Sequence, residues 1–119
     1  FIKRRREIAN TYYKELKNTV LKLPPKTLDS YDVYHLFTVY HKKRDKIVKL
    51  LREQGIQTRI IYPYPINMMP AYKKFSDNRN FESSLTKSKG IFSLPLYPEL
   101  KTTDVLKICK VLKKILANI

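Results

Sequence analysis

The sequence predicts a small two-layer α/β sandwich, with helices packed on a three- or four-stranded sheet. Three observations carry this. Apolar residues recur at helical spacing in three separate blocks: Ile8 to Leu16, Ile47 to Leu51 and Val105 to Leu116. Short runs rich in β-branched and aromatic residues lie between them, at Val33–Tyr40, Thr58–Ile61 and Ile91–Leu94. Prolines and a glycine stand at the edges of these blocks, where elements must stop.

The first helix is expected from Ile2 to Leu21. Ile8, Tyr12, Leu16 and Val20 recur every four residues, with Ala9 and Tyr13 beside them. No capping residue precedes its basic start, and Leu23-Pro24-Pro25 stops it, since the residue before a proline is pushed out of the helical region. Residues 26–31 read as a loop. Val33–Tyr40 reads as a strand in which neither alternate set is strongly polar, so both faces are expected to be partly covered. The second helix is expected over Lys43–Gln54, ended by Gly55 in the left-handed conformation. Thr58–Ile61 reads as a short strand. Pro63, Pro65 and Pro70 make 62–70 extended, irregular chain. Short helices are expected over Pro70–Phe75 and Phe81–Lys89, separated by a polar turn at Ser76–Asn80. A third strand, Ile91–Leu94, is stopped by Pro95 and Pro98. The last helix is expected from Thr103 to Ala117, with Thr102 as N-cap and Asp104 in its first turn.

At 119 residues the chain is expected to be one domain, residues 1–119, large enough to bury a core. Its net charge of +15 raises the question of a nucleic-acid partner. The cations are spread over every expected helix, and no nucleic-acid motif accompanies them, so they read as a solvated face and nucleic acid ranks last among partners. Cys109 is the single cysteine, so no internal disulfide can form, and a cytoplasmic setting is expected. No stretch is long and apolar enough to span a membrane, and no signal peptide is visible.

Five segments form an ordered pattern. They are Arg5-Arg6-Glu7-Ile8-Ala9 with Tyr12 and Leu16, then Tyr34-His35-Leu36-Phe37-Thr38-Val39, then Arg44-Asp45-Lys46-Ile47 through Leu51 to Gly55-Ile56. Thr58 to Tyr72, with its Tyr62-Pro63-Tyr64-Pro65 core, is the fourth, and Ser93-Leu94-Pro95-Leu96-Tyr97-Pro98-Glu99-Leu100 the fifth. Taken in order, they resemble the C-terminal domain of the DegT/DnrJ/StrS-type (perosamine-synthase-like) nucleotide-sugar aminotransferases, which depend on pyridoxal phosphate (PLP). The resemblance covers nearly the whole chain. It implies the C-terminal small domain of a fold-type-I PLP aminotransferase, with the N-terminal PLP-binding domain absent.

In the family the 58–72 segment lies near the active-site mouth and helps hold the sugar. The resemblance therefore implies Tyr62, Tyr64 and Asn67 as substrate-binding residues. Two positions depart from the family pattern. Ile61 and Asn67 stand where the family has histidines, so the proline scaffold is kept while the polar contacts change. Isoleucine offers no side-chain hydrogen bond, and asparagine does not titrate. The family's Schiff-base lysine, pyridine-pairing acid and phosphate cradle are not recognisable, and Gly55 and Gly90 are the only glycines. No residue is nominated as catalytic, cofactor-binding or metal-binding. PLP is expected in the full-length family, not in this chain.

Several residues carry plainer readings. His35 reads as a hydrogen-bonded structural histidine and His41 as an exposed residue in a basic turn. Two histidines six apart, without a Cys or carboxylate cluster, do not suggest a metal site. Cys109 reads as a buried, inert thiol in an apolar stripe. Tyr62, Tyr64 and Tyr72, with Met68 and Met69, read either as packing around the proline-rich segment or as an aromatic wall of a substrate pocket. Lys3-Arg4-Arg5-Arg6 reads as a solvated helix start or the junction to a missing domain.

The first expectation is therefore part of an aminotransferase acting on nucleotide-linked keto sugars, inactive alone. It would need a missing domain or partner subunit and would assemble as a homo-oligomer, a dimer in the family. A stand-alone interaction module descended from such a domain is the second expectation. A basic nucleic-acid-binding protein is the third.

Overall fold

The computed structural model describes residues 1–26, 34–60 and 89–119. Among these lie three helices: α1 (Ile2–Leu16), α2 (Arg44–Glu53) and α3 (Thr102–Ala117). Two strands, β1 (Phe37–Tyr40) and β2 (Ile91–Leu94), pair antiparallel, with Phe37 opposite Leu94 and Val39 opposite Phe92. The ladder is extended by one bridge on each side. Lys22 pairs with Tyr40 outside β1, and Arg59 pairs with Ser93 outside β2. Four chain segments thus lie side by side, and the predicted α/β sandwich is what forms.

The register explains the core. Phe37, Val39, Phe92 and Leu94 share one face of the ladder and are all buried. On the other face Thr38, Tyr40 and Ile91 are partly covered. The helices meet the buried face with their own stripes. α1 contributes Ile8, Ala9, Tyr12 and Leu16, α2 contributes Ile47, Val48 and Leu51, and α3 contributes Val105, Ile108, Cys109 and Leu112. α3 packs between α1 and α2. The Tyr12 ring stacks on Phe37 at 5.0 Å, and Tyr13 meets the same ring edge-on at 5.1 Å.

α1 ends five residues before the expected Leu21. Thr19 supplies the reason. Its hydroxyl donates to the Leu16 carbonyl at 2.7 Å and accepts the Leu21 amide at 3.3 Å. A hydroxyl that takes over backbone partners in this way offers the chain an alternative to the helix. Val20 consequently leaves the expected stripe and is 71% exposed, while Leu21 turns in to 4%. The next residue, Lys22, is then placed to exchange both backbone hydrogen bonds with Tyr40.

β1 is shorter than the expected Val33–Tyr40. Tyr34 has φ 51°, a left-handed conformation that a bulky residue rarely adopts, and this breaks the extended run. Its ring lies 6.4 Å from both Tyr13 and Phe37, in an aromatic cluster that offsets the strain.

α2 ends where Gly55 was expected to stop it. Gly55 has φ 80°, its amide donates to the Arg52 carbonyl, and the Ile56 amide donates to Leu51, each at 2.9 Å. These are the two bonds of a Schellman motif, and buried Ile56 and Leu51 supply its apolar contact. At α3 the N-cap is Lys101, not Thr102. Thr102 is the first helical residue, and its hydroxyl accepts from Arg4 at 3.2 Å instead.

The Thr58–Ile61 run is represented by the single bridge at Arg59, and Ile61 falls outside the described residues. So do the irregular stretch at 62–70, the expected short helix Pro70–Phe75, the polar turn and nearly all of the expected helix Phe81–Lys89. Among the described residues, no helix is long and apolar enough to cross a membrane.

Candidate functional site: a cleft between the Gln54–Arg59 segment and α3

A cleft of about 630 Å³ opens between the Gln54–Arg59 segment, the Ser93–Tyr97 segment and the N-terminal half of α3. Its floor is apolar, built from Ile56, Leu94, Leu100 and Ile108, all buried. Its rim carries His35, Thr58, Arg59, Tyr97, Asp104 and Lys107. Such a combination of apolar floor and few polar groups is the usual form of a binding surface.

Both walls are held by identifiable bonds. Arg59 and Ser93 exchange backbone hydrogen bonds of 3.1 and 2.8 Å, which fixes the chain just before it enters the 61–72 segment. The Ser93 and Thr38 hydroxyls lie 3.1 Å apart across the ladder. The opposite wall is pinned by α1. The Tyr12 hydroxyl donates to the Pro95 carbonyl at 2.6 Å, and Arg4 donates to the Leu100 carbonyl at 2.5 Å. Burial raises the Tyr12 hydroxyl pKa, with smaller contributions from Cys109 and Tyr97, so it stays a donor at any ordinary pH. The motif Ser93–Leu100 thus keeps its shape through residues some ninety positions away in sequence.

One polar atom in the cleft lacks a partner. Thr58 Oγ1 is buried and makes no hydrogen bond among the described residues. A buried hydroxyl without a partner is unfavourable, and a group entering the cleft would relieve it. Leu36, Ile60 and Tyr97 are exposed nearby or on the rim.

His35 is exposed at the rim, ahead of β1 rather than within it, and its Nδ1 lies 3.5 Å from Arg5 Nη1. His41 departs from the expectation of an exposed residue. It is 8% exposed, and its Nδ1 accepts the Lys43 amide at 2.9 Å. Burial is the main cause that lowers its pKa below the ordinary imidazole value, followed by Lys42 and Lys43. Cys109 is buried on α3, and burial, then Glu15, push its thiol up to about 12. A thiol so perturbed is not a nucleophile at neutral pH.

The substrate-binding expectations Tyr62, Tyr64 and Asn67, and the altered positions Ile61 and Asn67, lie outside the described residues. Thr58, Arg59, Tyr97 and Lys107 come together at the cleft although sequence spacing did not single them out. The Thr58-Arg59 pair, Tyr97 and Lys107 are far from one another in the chain, and the ladder and α3 bring them to one place.

A PLP site needs a sheltered lysine, an acid for the pyridine nitrogen and a phosphate cradle. The described residues do not fit that group. Every lysine among them is exposed. Neither glycine is free to form a cradle: Gly55 closes α2, and Gly90 is packed against the Tyr40 ring and the His41 carbonyl. Among the described residues there is also no group of three metal-ligating side chains.

Residues 1–113 match the DegT/DnrJ/EryC1/StrS aminotransferase family model. The chain belongs to that family. It is 35% identical over 111 residues to dTDP-3-amino-3,6-dideoxy-alpha-D-galactopyranose transaminase of Aneurinibacillus thermoaerophilus, covering 93% of this chain and 30% of the relative. It is 37% identical over 101 residues to a Geobacillus stearothermophilus pleiotropic regulatory protein, covering 82% and 27%. Among solved structures it resembles S. venezuelae DesV in complex with a ketimine intermediate, with a TM-score of 0.88 and 28% identity over 96% of this chain and 31% of that one. A Brucella abortus DegT DnrJ EryC1 StrS aminotransferase matches equally, with a TM-score of 0.88. The family member described here therefore spans about 30% of the length of these relatives.

Proposed function

We propose that this chain is the C-terminal part of a PLP-dependent aminotransferase acting on nucleotide-linked keto sugars, and that it is inactive alone. The complete enzyme moves an amino group from an amino-acid donor, glutamate in this reading, to a keto sugar carried on a nucleotide. Residues 1–119 form one unit in this reading. The cofactor, its lysine and its phosphate cradle belong to the remaining two-thirds of the protein. The enzyme works in the cytoplasm as a homo-oligomer.

The observation that carries the reading is a family match over nearly the whole chain, joined to a length of only about 30% of its relatives. The lysine exposure noted above is consistent with it, since none of these side chains is sheltered as a Schiff-base lysine needs to be.

The chain's own share is to wall the substrate pocket. The Arg59–Ser93 pairing fixes the chain two residues before the 61–72 segment begins. Tyr62, Tyr64 and Asn67 then supply aromatic surface and one polar contact to the sugar. The cleft with Thr58, Leu36 and Tyr97 is where the rest of the polypeptide packs, because its apolar floor and unmatched hydroxyl both call for a covering surface.

The test is a chimera in which this chain replaces the corresponding C-terminal part of the A. thermoaerophilus transaminase. A folded, cofactor-loaded chimera that transaminates a nucleotide-linked keto sugar supports the reading. A folded, cofactor-loaded chimera with no turnover beside an active parent counts against it.

A further inference from the structure

The corner between β1 and α2 is built on a histidine, His41, two residues ahead of Lys43, the N-cap of α2. The Lys43 side chain itself makes no capping bond, where helix starts ordinarily use Ser, Thr, Asp or Asn. Three bonds converge on His41. Its amide donates to the Gly90 carbonyl at 3.0 Å, its carbonyl accepts the Arg44 amide at 3.1 Å, and its Nδ1 accepts the Lys43 amide at 2.9 Å. The last bond fixes the tautomer. Nδ1 must be unprotonated to accept, so the proton of the neutral ring sits on Nε2.

From this geometry we infer that His41 is a proton-sensitive cap on the Lys42-Lys43 turn that leads into α2, holding that turn when neutral and releasing it when protonated. Protonation turns Nδ1 from an acceptor into a donor facing another donor, the Lys43 N–H. It also places a cation at a helix N-terminus, where the aligned peptide dipoles already present positive charge.

Among the described residues the surroundings do not offset that charge. Lys42 and Lys43 flank the ring in the turn and disfavour its charged form. Arg44, on the first turn of α2, directs Nε to Asp45 at 3.0 Å and Nη1 to the Ile91 carbonyl at 3.2 Å. Asp45 is thus engaged by Arg44, and its side chain is largely in solvent. From the β2 side the contact is the Gly90 backbone carbonyl. The end of α3 reaches the corner through the Ile119 backbone oxygen, which takes Lys43 Nζ at 3.2 Å.

The consequence extends beyond one turn. Arg44 ties the start of α2 to β2 through Ile91, so loosening that turn loosens the helix from the sheet. The sign follows from linkage. The folded-state pKa lies below the unfolded value of about 6.5, so the unfolded chain binds the proton more readily. The cap's contribution is full above about pH 6.5 and is lost as pH falls through the folded-state pKa.

The test uses the full chain and His41→Asn, whose side-chain oxygen can accept the Lys43 amide but does not titrate. Amide exchange at Lys43 to Asp45 is compared at pH 7.5 and pH 5, corrected for intrinsic exchange. The wild type should lose protection several-fold at pH 5, and the variant should not. Equal loss in both proteins, or none in the wild type, overturns the inference. Should the variant not fold, NMR titration of the wild-type ring decides. An apparent pKa at or above the free value, or an Nδ1-protonated neutral tautomer, contradicts the cap.

Discussion

Single positions in this molecule carry specific structural duties. Gly90 is the sharpest case, because a Cβ there would lie 2.3 Å from Tyr40 Cε2 and 2.8 Å from the His41 carbonyl oxygen. The ring can shift, but the carbonyl belongs to the β1–α2 corner. Gly90→Ala should destabilise the fold by about 1–3 kcal/mol, measured by urea unfolding, as forced overpacking usually does. A stability equal to wild type would mean the corner is softer than its bonds suggest. Cys109 makes an opposite kind of prediction. Its buried thiol, with pKa pushed up to about 12, should resist a thiol reagent at pH 8 and react fully once the chain is unfolded. Fast labelling of the folded chain would show that α3 opens readily. Sequence pattern gave the right reading of Cys109 because an apolar stripe fixes burial. It misjudged His41 because the reason for burial there is a backbone hydrogen bond at a corner, which leaves no periodic signal.

At the scale of elements, helix ends separate what patterning can and cannot reveal. The end of α2 was legible, because Gly55 alone tolerates φ 80° without strain. Gly55→Ala should cost about 1–2 kcal/mol by the same unfolding measurement, although nothing lies within 4 Å of the added methyl. The end of α1 was not legible. The four-residue spacing continues through Val20, yet the Thr19 hydroxyl ends the helix by bonding Leu16 and Leu21. Val20→Ser should therefore leave stability nearly unchanged, whereas Leu21→Ala should cost about 2–4 kcal/mol. The reverse order would restore the longer helix. β1 was overextended for a related reason. Val33–Tyr40 has strand-like composition, but the left-handed Tyr34 turns the chain to seat its ring beside Tyr13 and Phe37. Tertiary packing decides that position, and local propensity does not record it.

For the whole molecule, the two-layer architecture was visible from the alternation of periodic blocks. The cleft was not. Its rim joins His35, Thr58, Tyr97 and Lys107, which meet only when Arg59 pairs with Ser93 and α1 pins Pro95 and Leu100. The family was legible because five short segments occur in order, and the match over residues 1–113 bears that out. Of the cations behind the net charge of +15, every described lysine is exposed, whereas Arg44 is buried and Arg4 to Arg6 are partly covered. In the proposed function, the cofactor chemistry of this family lies outside these 119 residues. Titration of the purified chain with PLP, then borohydride reduction and intact-mass measurement, tests it most directly. No saturable absorbance change and no stoichiometric added mass is the predicted result. One cofactor equivalent fixed on one particular lysine would contradict the claim and place a catalytic centre in this chain.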